Sequence, residues 1–286
     1  MNESISEPPL ETESANGAVM AELFEAVGFE IVDENSYNSL VEFVDSHGQR
    51  TRAQRGKATL HGRCWKLGDG LEVWSIVYEC APELYYADCR PAFRSRYVRT
   101  ILPWELIEYD EDGEAIVRGC IQGGPDVIFE LQNLTALNQS LFREGHLHVA
   151  LAGLAYSAHM NMAEDSNRGA GYTDRFVPAE QVTELADDAC ENDYVLNGHV
   201  LAWRDIKNSV TGNDLVWVYV DAVTIRLEIL VNRRALRGEL KIGAAITANV
   251  WLQGHVLEQA DISARYEGVD HEYEPSDFWT QLRRDN

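Results

Sequence analysis

Residues 223–229 of VTIRLEILV alternate between apolar and polar side chains. Val223, Ile225, Leu227, Ile229 and Val231 share one side, and Thr224, Arg226 and Glu228 the other. A period of two is that of a strand with one buried face, and a helix cannot satisfy it. The same texture extends on both sides. YVLNGHVLAW reads as a strand, NSVTGND as a turn, LVWVYVDA as a second strand, and GAAITANVWLQGHV as one more long strand or a bent pair. The polar connector NRRALRGELKIG has room for a short helical turn.

A long strand, a hairpin, a connector and a closing strand over 194–256 suit a small Greek-key barrel of the OB kind, with an SH3-like barrel as the competing topology. Upstream, 58–135 reads as a β-meander, with Asp112-Gly113 as a hairpin turn. HLHVALAGLAYSAH is assigned to a strand, because Gly145 and Gly153 weaken a helix. Two short helices precede the strands. Met20, Leu23, Phe24 and Val27 mark the first, ended by Gly28; Ser36 caps the second. Residues 46–57 read as a polar, basic connector. The fold class is therefore mainly β (α+β). Its expected parts are an acidic disordered tail at 1–17, a β-rich domain at 18–160 and an acidic connecting segment at 161–193. The barrel module at 194–256 and a C-terminal tail at 257–286 follow.

Charge narrows the partners. The chain of 286 residues carries a net charge of −23. Residues 1–49 hold 11 acids and no Lys or Arg, whereas 50–99 hold 10 bases against 5 acids. The overall field disfavours non-specific nucleic-acid and membrane binding, while the basic segment keeps a specific anionic ligand open. The 5 cysteines are widely spaced with no CxxC pair, so free thiols, a cytoplasmic location and no cofactor are expected. No nucleotide loop, nucleophile elbow or HExxH helix occurs, so no catalytic residue is assigned.

Phe176-Val177-Pro178, Asn197-Gly198-His199-Val200, Asn208-Ser209-Val210-Thr211-Gly212-Asn213 and Trp251-Leu252-Gln253-Gly254 resemble the C-terminal part of a group of uncharacterised bacterial proteins. The resemblance implies architecture and no activity. HGRCW and NGHVLAW each open a strand-rich block with a Gly-then-Trp pattern, which leaves a duplication open.

Three candidate sites follow. Glu144, His146 and His148 would project from one face of a strand and could bind Zn²⁺ or Fe²⁺, with His159 as a further ligand. The HxH resembles the cupin metal motif, but Leu151 and Ala152 stand where that motif wants a Glu. Arg90, Arg94, Arg96 and Arg99 alternate with Phe93 and Tyr97 and could grip an anion, or pair with nearby acids. If Val216, Val218, Val220, Ile246, Ala248 and Val250 point inward, then Trp217, Tyr219 and Trp251 point outward, joined by Arg226. That face could stack on a ligand or meet a protein, and self-association through it is the favoured expectation. A metal-binding protein or metal-dependent enzyme, and OB-type nucleic-acid or oligosaccharide binding, are the alternatives.

Overall fold

The computed structural model describes residues 15–80, 83–109, 113–138, 141–142, 145–161, 175–182 and 189–258. The expected tails at 1–17 and 257–286 fall largely outside them. The fold is β-rich with two helices, α1 (Ala15–Ala26) and α2 (Glu34–His47). Gly28 adopts a positive φ of 89° just past α1, as the sequence requires of a helix stop. The N-cap of α2 is Asp33, whose carboxylate accepts from the Ser36 N–H; Ser36 takes the reciprocal place in a capping box.

Four antiparallel strands form a separate sheet in the order β1 (Gln49–Arg55), β2 (Ala58–Gly68), β3 (Leu71–Cys80) and β4 (Glu83–Phe93). Residues 49–55 thus form an edge strand where a connector is expected. Its inward side chains are Thr51, Ala53 and Arg55, only one of them apolar, so periodicity gives little signal.

The remaining strands are β5 (Val98–Tyr109), β6 (Glu114–Ile121), β7 (Asp126–Leu131), β8 (Leu147–Met160), β9 (Arg175–Pro178), β10 (Asp193–Lys207), β11 (Asp214–Asp221), β12 (Arg226–Asn232), β13 (Leu236–Arg237) and β14 (Ala245–Leu257). They join in one ten-stranded sheet. Its centre is the long antiparallel pair β8–β14, from Ile246 opposite Met160 to Leu257 opposite His148. Two rings close on this pair. One runs β8–β5–β6–β7–β14, and the other β14–β10–β11–β12–β8. Residues 194–256 therefore close into a ring only with a strand from outside that stretch.

The two rings repeat one plan. Each half is a three-strand meander followed by a long strand. The long strand pairs antiparallel with the first strand of its own meander (β5–β8, β10–β14) and parallel with the third strand of the other (β8–β12, β14–β7). The halves are thereby exchanged about a pseudo-twofold axis. β6 and β11 begin at Glu114 and Asp214, and β7 and β12 at Asp126 and Arg226, a constant interval of 100 residues. A bulge falls at matching places, between Pro103 and Glu105 and between Val200 and Ala202. The Gly-then-Trp similarity does not mark this repeat, since HGRCW belongs to the separate sheet.

The ring interiors hold the expected apolar rows. Val216, Val218, Val220, Leu227, Ile229, Val231, Ile246, Ala248 and Val250 are buried together. Val223 departs from the alternation. It sits in the β11–β12 turn at φ 65°, its side chain exposed. The opposite face of the second ring is also covered. Trp217, Tyr219 and Trp251 share a core with Leu23 and Phe24 of α1, Val27 just past it, Val44 of α2, and Leu71, Val73 and Phe93 of the four-stranded sheet. They do point away from the ring, but onto protein, because the α1–α2 and β1–β4 layer needs an apolar floor. Buried there, Trp217, Tyr219 and Trp251 are not the exposed face expected.

Among the described residues, no helix is long and apolar enough to cross a membrane. All five cysteines are free thiols.

Trp217 is 2% exposed, and its indole N–H donates to Glu228 at 2.8 Å. Trp217→Ala is expected to cost about 3–5 kcal/mol in equilibrium denaturation, with no change in oligomeric state by light scattering.

Candidate functional site

The two rings diverge along one edge of β8. There β5 and β12 meet end to end, with Val98 opposite Ala150 and Glu228 opposite Ala152. Between them opens a cleft of about 680 Å³. Its walls are Arg99, the β6–β7 turn from Ile121 to Gly124, His199 and Leu201 of β10, and the β11–β12 turn with Asp221, Val223 and Arg226. Arg99 Nη2 donates to the Arg226 carbonyl at 2.9 Å, so the two halves are tied at this point. Arg226 Nε donates to Asp221 at 3.1 Å, and its side chain remains 41% exposed. Two guanidinium groups against one carboxylate leave the cleft positive. Tyr219 lies behind, stacked on Tyr97 at 4.6 Å. Burial pushes its hydroxyl up, while Arg99 and Arg226 pull it down.

Val223 gives the cleft a strained rim. A β-branched residue at positive φ is an outlier that surrounding contacts must hold in place. The Val223 N–H donates to Asp221 Oδ1 at 3.1 Å, and the Thr224 N–H to the Ala222 carbonyl at 2.7 Å.

The pseudo-equivalent place lies on the outer edge of β14, where β7 and β10 meet. It is plugged. The Ile128 N–H donates to the Tyr194 hydroxyl at 2.8 Å, Asn192 Nδ2 to the Leu252 carbonyl at 3.1 Å, and Arg118 Nη2 to Glu191 at 2.5 Å. Asp126 starts β7 where Arg226 starts β12. One junction is thus acidic and filled, the other basic and open.

The four arginines of the expected anion site separate. Only Arg99 reaches the cleft. Arg90 is fully buried, bonded to Asp88, Glu130 and the Gly113 carbonyl, because β4 must dock on β6 and β7 there. Arg94 approaches Glu72 at 3.7 Å. The Arg96 N–H donates to Glu228 at 2.6 Å, alongside Ser95 and Trp217, so this buried carboxylate is satisfied by three donors. Arg226, from the other expected site, joins Arg99. The sequence contained both residues, but their meeting depends on the ring exchange.

Of the expected metal ligands, His146 and His148 lie together and His159 lies apart. Glu144 lies outside the described residues. His146 and His148 lie 5.2 Å apart between ring centroids. His159 is at the far end of β8, opposite Thr247, roughly 35 Å along the strand from His148 at ~3.3 Å per residue. Among the described residues no group of three His, Cys, Asp or Glu side chains is placed to hold a metal ion.

The Asn208–Asn213 turn caps α1. Asn208 Nδ2 donates to the Val27 carbonyl at 2.8 Å, and Thr211 Oγ1 and Asn213 Nδ2 donate to Gly28 at 2.8 and 2.9 Å. Its polar residues are therefore structural.

Residues 185–254 match a family described as a domain of unknown function, E. rectale gene description (DUF3881). The match spans β10 to most of β14, which is the second half of the exchanged pair. No curated protein and no solved structure matches the chain.

Burial pushes the Glu130 carboxyl up, to about 8, against the pull of Arg90; Asp88 and Glu114 add to the rise. A carboxyl that holds its proton more tightly when folded gives stability that is complete below its unfolded pKa, about 4.3, and is lost as pH rises through the folded value. Denaturation at pH values between about 5 and 8 is expected to show stability falling as pH rises. Glu130→Gln should flatten that slope, and an unchanged slope would rule out a protonated Glu130.

Proposed function

We propose that this chain is a non-enzymatic binding protein that holds a small anionic ligand, a phosphate or carboxylate compound, in the cleft between β5 and β12. One observation carries the reading: Arg99 and Arg226 come from opposite halves and meet at an open junction whose counterpart is plugged. A cleft of about 680 Å³ is of ligand size, and paired guanidinium groups suit planar, bidentate anions. The parallel β12–β8 pair that closes the second five-strand ring supports an OB-type barrel for that half. The covered aromatics leave no stacking platform on its outer face, so the recognition falls to the arginines.

Calorimetric titration with inorganic phosphate, pyrophosphate and citrate tests this. At least one is expected to bind saturably and more weakly as salt rises. Arg99→Ala and Arg226→Ala should each weaken it about tenfold, the effect of ~1.4 kcal/mol, and Asp221→Asn should tighten it. No saturable binding, or binding indifferent to the double arginine variant, overturns the reading.

A second reading, self-association, draws support from a different face. Leu102, Trp104 and Tyr109 on β5 are 45%, 57% and 42% exposed, and exposed apolar groups at this density mark protein contacts. Light scattering should then show a concentration-dependent oligomer that Trp104→Asp dissociates. A monomer at every concentration removes it.

A further inference from the structure

The four-stranded sheet carries a second basic surface, independent of the cleft. Strand register puts Arg50 of β1 directly opposite Arg63 of β2, and Arg52 opposite His61, whose ring bonds the Glu79 carboxylate at 2.6 Å. These residues alternate with Ala53, Leu60 and Cys64, which are buried, so they lie on the outer face. Like charges directly opposite one another on a sheet are destabilising.

Many of the other arginines of the described chain lie beside an acid. Arg55, Arg90, Arg94, Arg118, Arg204 and Arg226 each have a carboxylate within 4 Å. Among the described residues, Arg50, Arg52 and Arg63 have none. With 47 acids against 24 bases in the chain, three adjacent unneutralised guanidiniums are a selective arrangement. Arginines on an edge strand could merely block edge-to-edge pairing. Arg63 is on an interior strand, however, where that purpose does not apply.

Aromatic rings border the patch. Arg63 sits against the α2–β1 junction, since a Cβ on Gly48 would meet the Arg63 Cβ at 2.9 Å. Trp65, two residues on, shares its face. Phe43 lies 4.5 Å from Trp65 and stacks on His47 at 3.8 Å with planes 10° apart. Phe43 is 40% exposed, and His47 forms the open end of the stack. The surface therefore offers a row of guanidiniums leading to an aromatic platform.

We infer that the outer β1–β2 face, with Arg50, Arg52 and Arg63 beside the stacked His47–Phe43 pair, binds a segment of single-stranded nucleic acid. Guanidiniums two residues apart on a strand track successive phosphates, and the stack receives a base without regard to sequence. An acidic peptide would use the arginines but gain nothing from the rings. The negative field of the whole chain is screened within about 8 Å at physiological salt, so the patch acts locally and the binding is salt-sensitive.

Fluorescence anisotropy with a labelled oligothymidylate at low salt tests this on the full chain. Saturable binding is expected. Arg50→Ala with Arg63→Ala should weaken it at least tenfold and lower the slope of log affinity against log salt by about 0.7 per arginine removed. Phe43→Ala with His47→Ala should weaken binding while leaving that slope unchanged. Lys207→Ala, on an exposed pair at the end of β10, should change nothing. No binding at low salt, an affinity unaffected by the double arginine variant, or stronger binding of a polyglutamate peptide than of the oligonucleotide would each overturn the inference. Circular dichroism of each variant separates loss of binding from loss of fold.

Discussion

The pairing of β8 with β14 is the constraint on which the molecule is built. Both five-strand rings use this pair as two of their walls, and neither closes without it. The exchange makes each half depend on the other, because the parallel neighbour of every long strand is the last strand of the opposite meander. The crossing must also be thin. A Cβ at Gly254 would run into the Phe129 ring, and one at Gly153 would press on Val250 and Ile229. Close backbone approach is what glycine permits in a strand interior.

Symmetry then explains where a site can form. Two equivalent junctions arise wherever a meander leaves the central pair. Tyr194, Asn192 and the Arg118–Glu191 bridge fill one. The other keeps its volume, and its starting residue is Arg226 rather than Asp126. Repeat architectures often free one copy of a feature for binding while the other serves stability, and the charge reversal between these two positions fits that division.

The buried polar groups lie where layers meet. Arg90 with Asp88 and Glu130 joins the four-stranded sheet to the first ring, and Glu228 with Ser95, Arg96 and Trp217 joins the β4–β5 link to the second. Each carboxylate has donors around it, which is what makes burial tolerable. Burial first, and then the neighbouring Glu114 and Asp88, raise the Glu130 pKa. Arg50, Arg52 and Arg63 contrast with this pattern: among the described residues no ion pair holds them, although Glu79 and Asp45 bond their neighbours His61 and Ser75.

Much of this architecture was legible in the residues. Alternation in 225–229 marked which side chains face inward, whereas 215–220 is apolar on both faces and its inward side was legible only as a condition. Gly28 marked a helix end because only glycine takes that φ cheaply. Val223 broke the pattern because the turn, not the strand, claims it. Strand β1 escaped notice because its inward face includes Thr51 and Arg55, whose burial depends on the Thr135 hydroxyl and on carbonyls 79 and 82 residues away. The sequence by itself determined a β-rich chain with two helices and the inner faces of its strands, for these follow from local period and turn chemistry. Only the tertiary structure decided that the chain is an exchanged duplication, that Trp217, Tyr219 and Trp251 face other layers of the same protein, and that Arg99 meets Arg226. Those outcomes depend on which distant strands pair, and hydrophobic period carries no record of the partner.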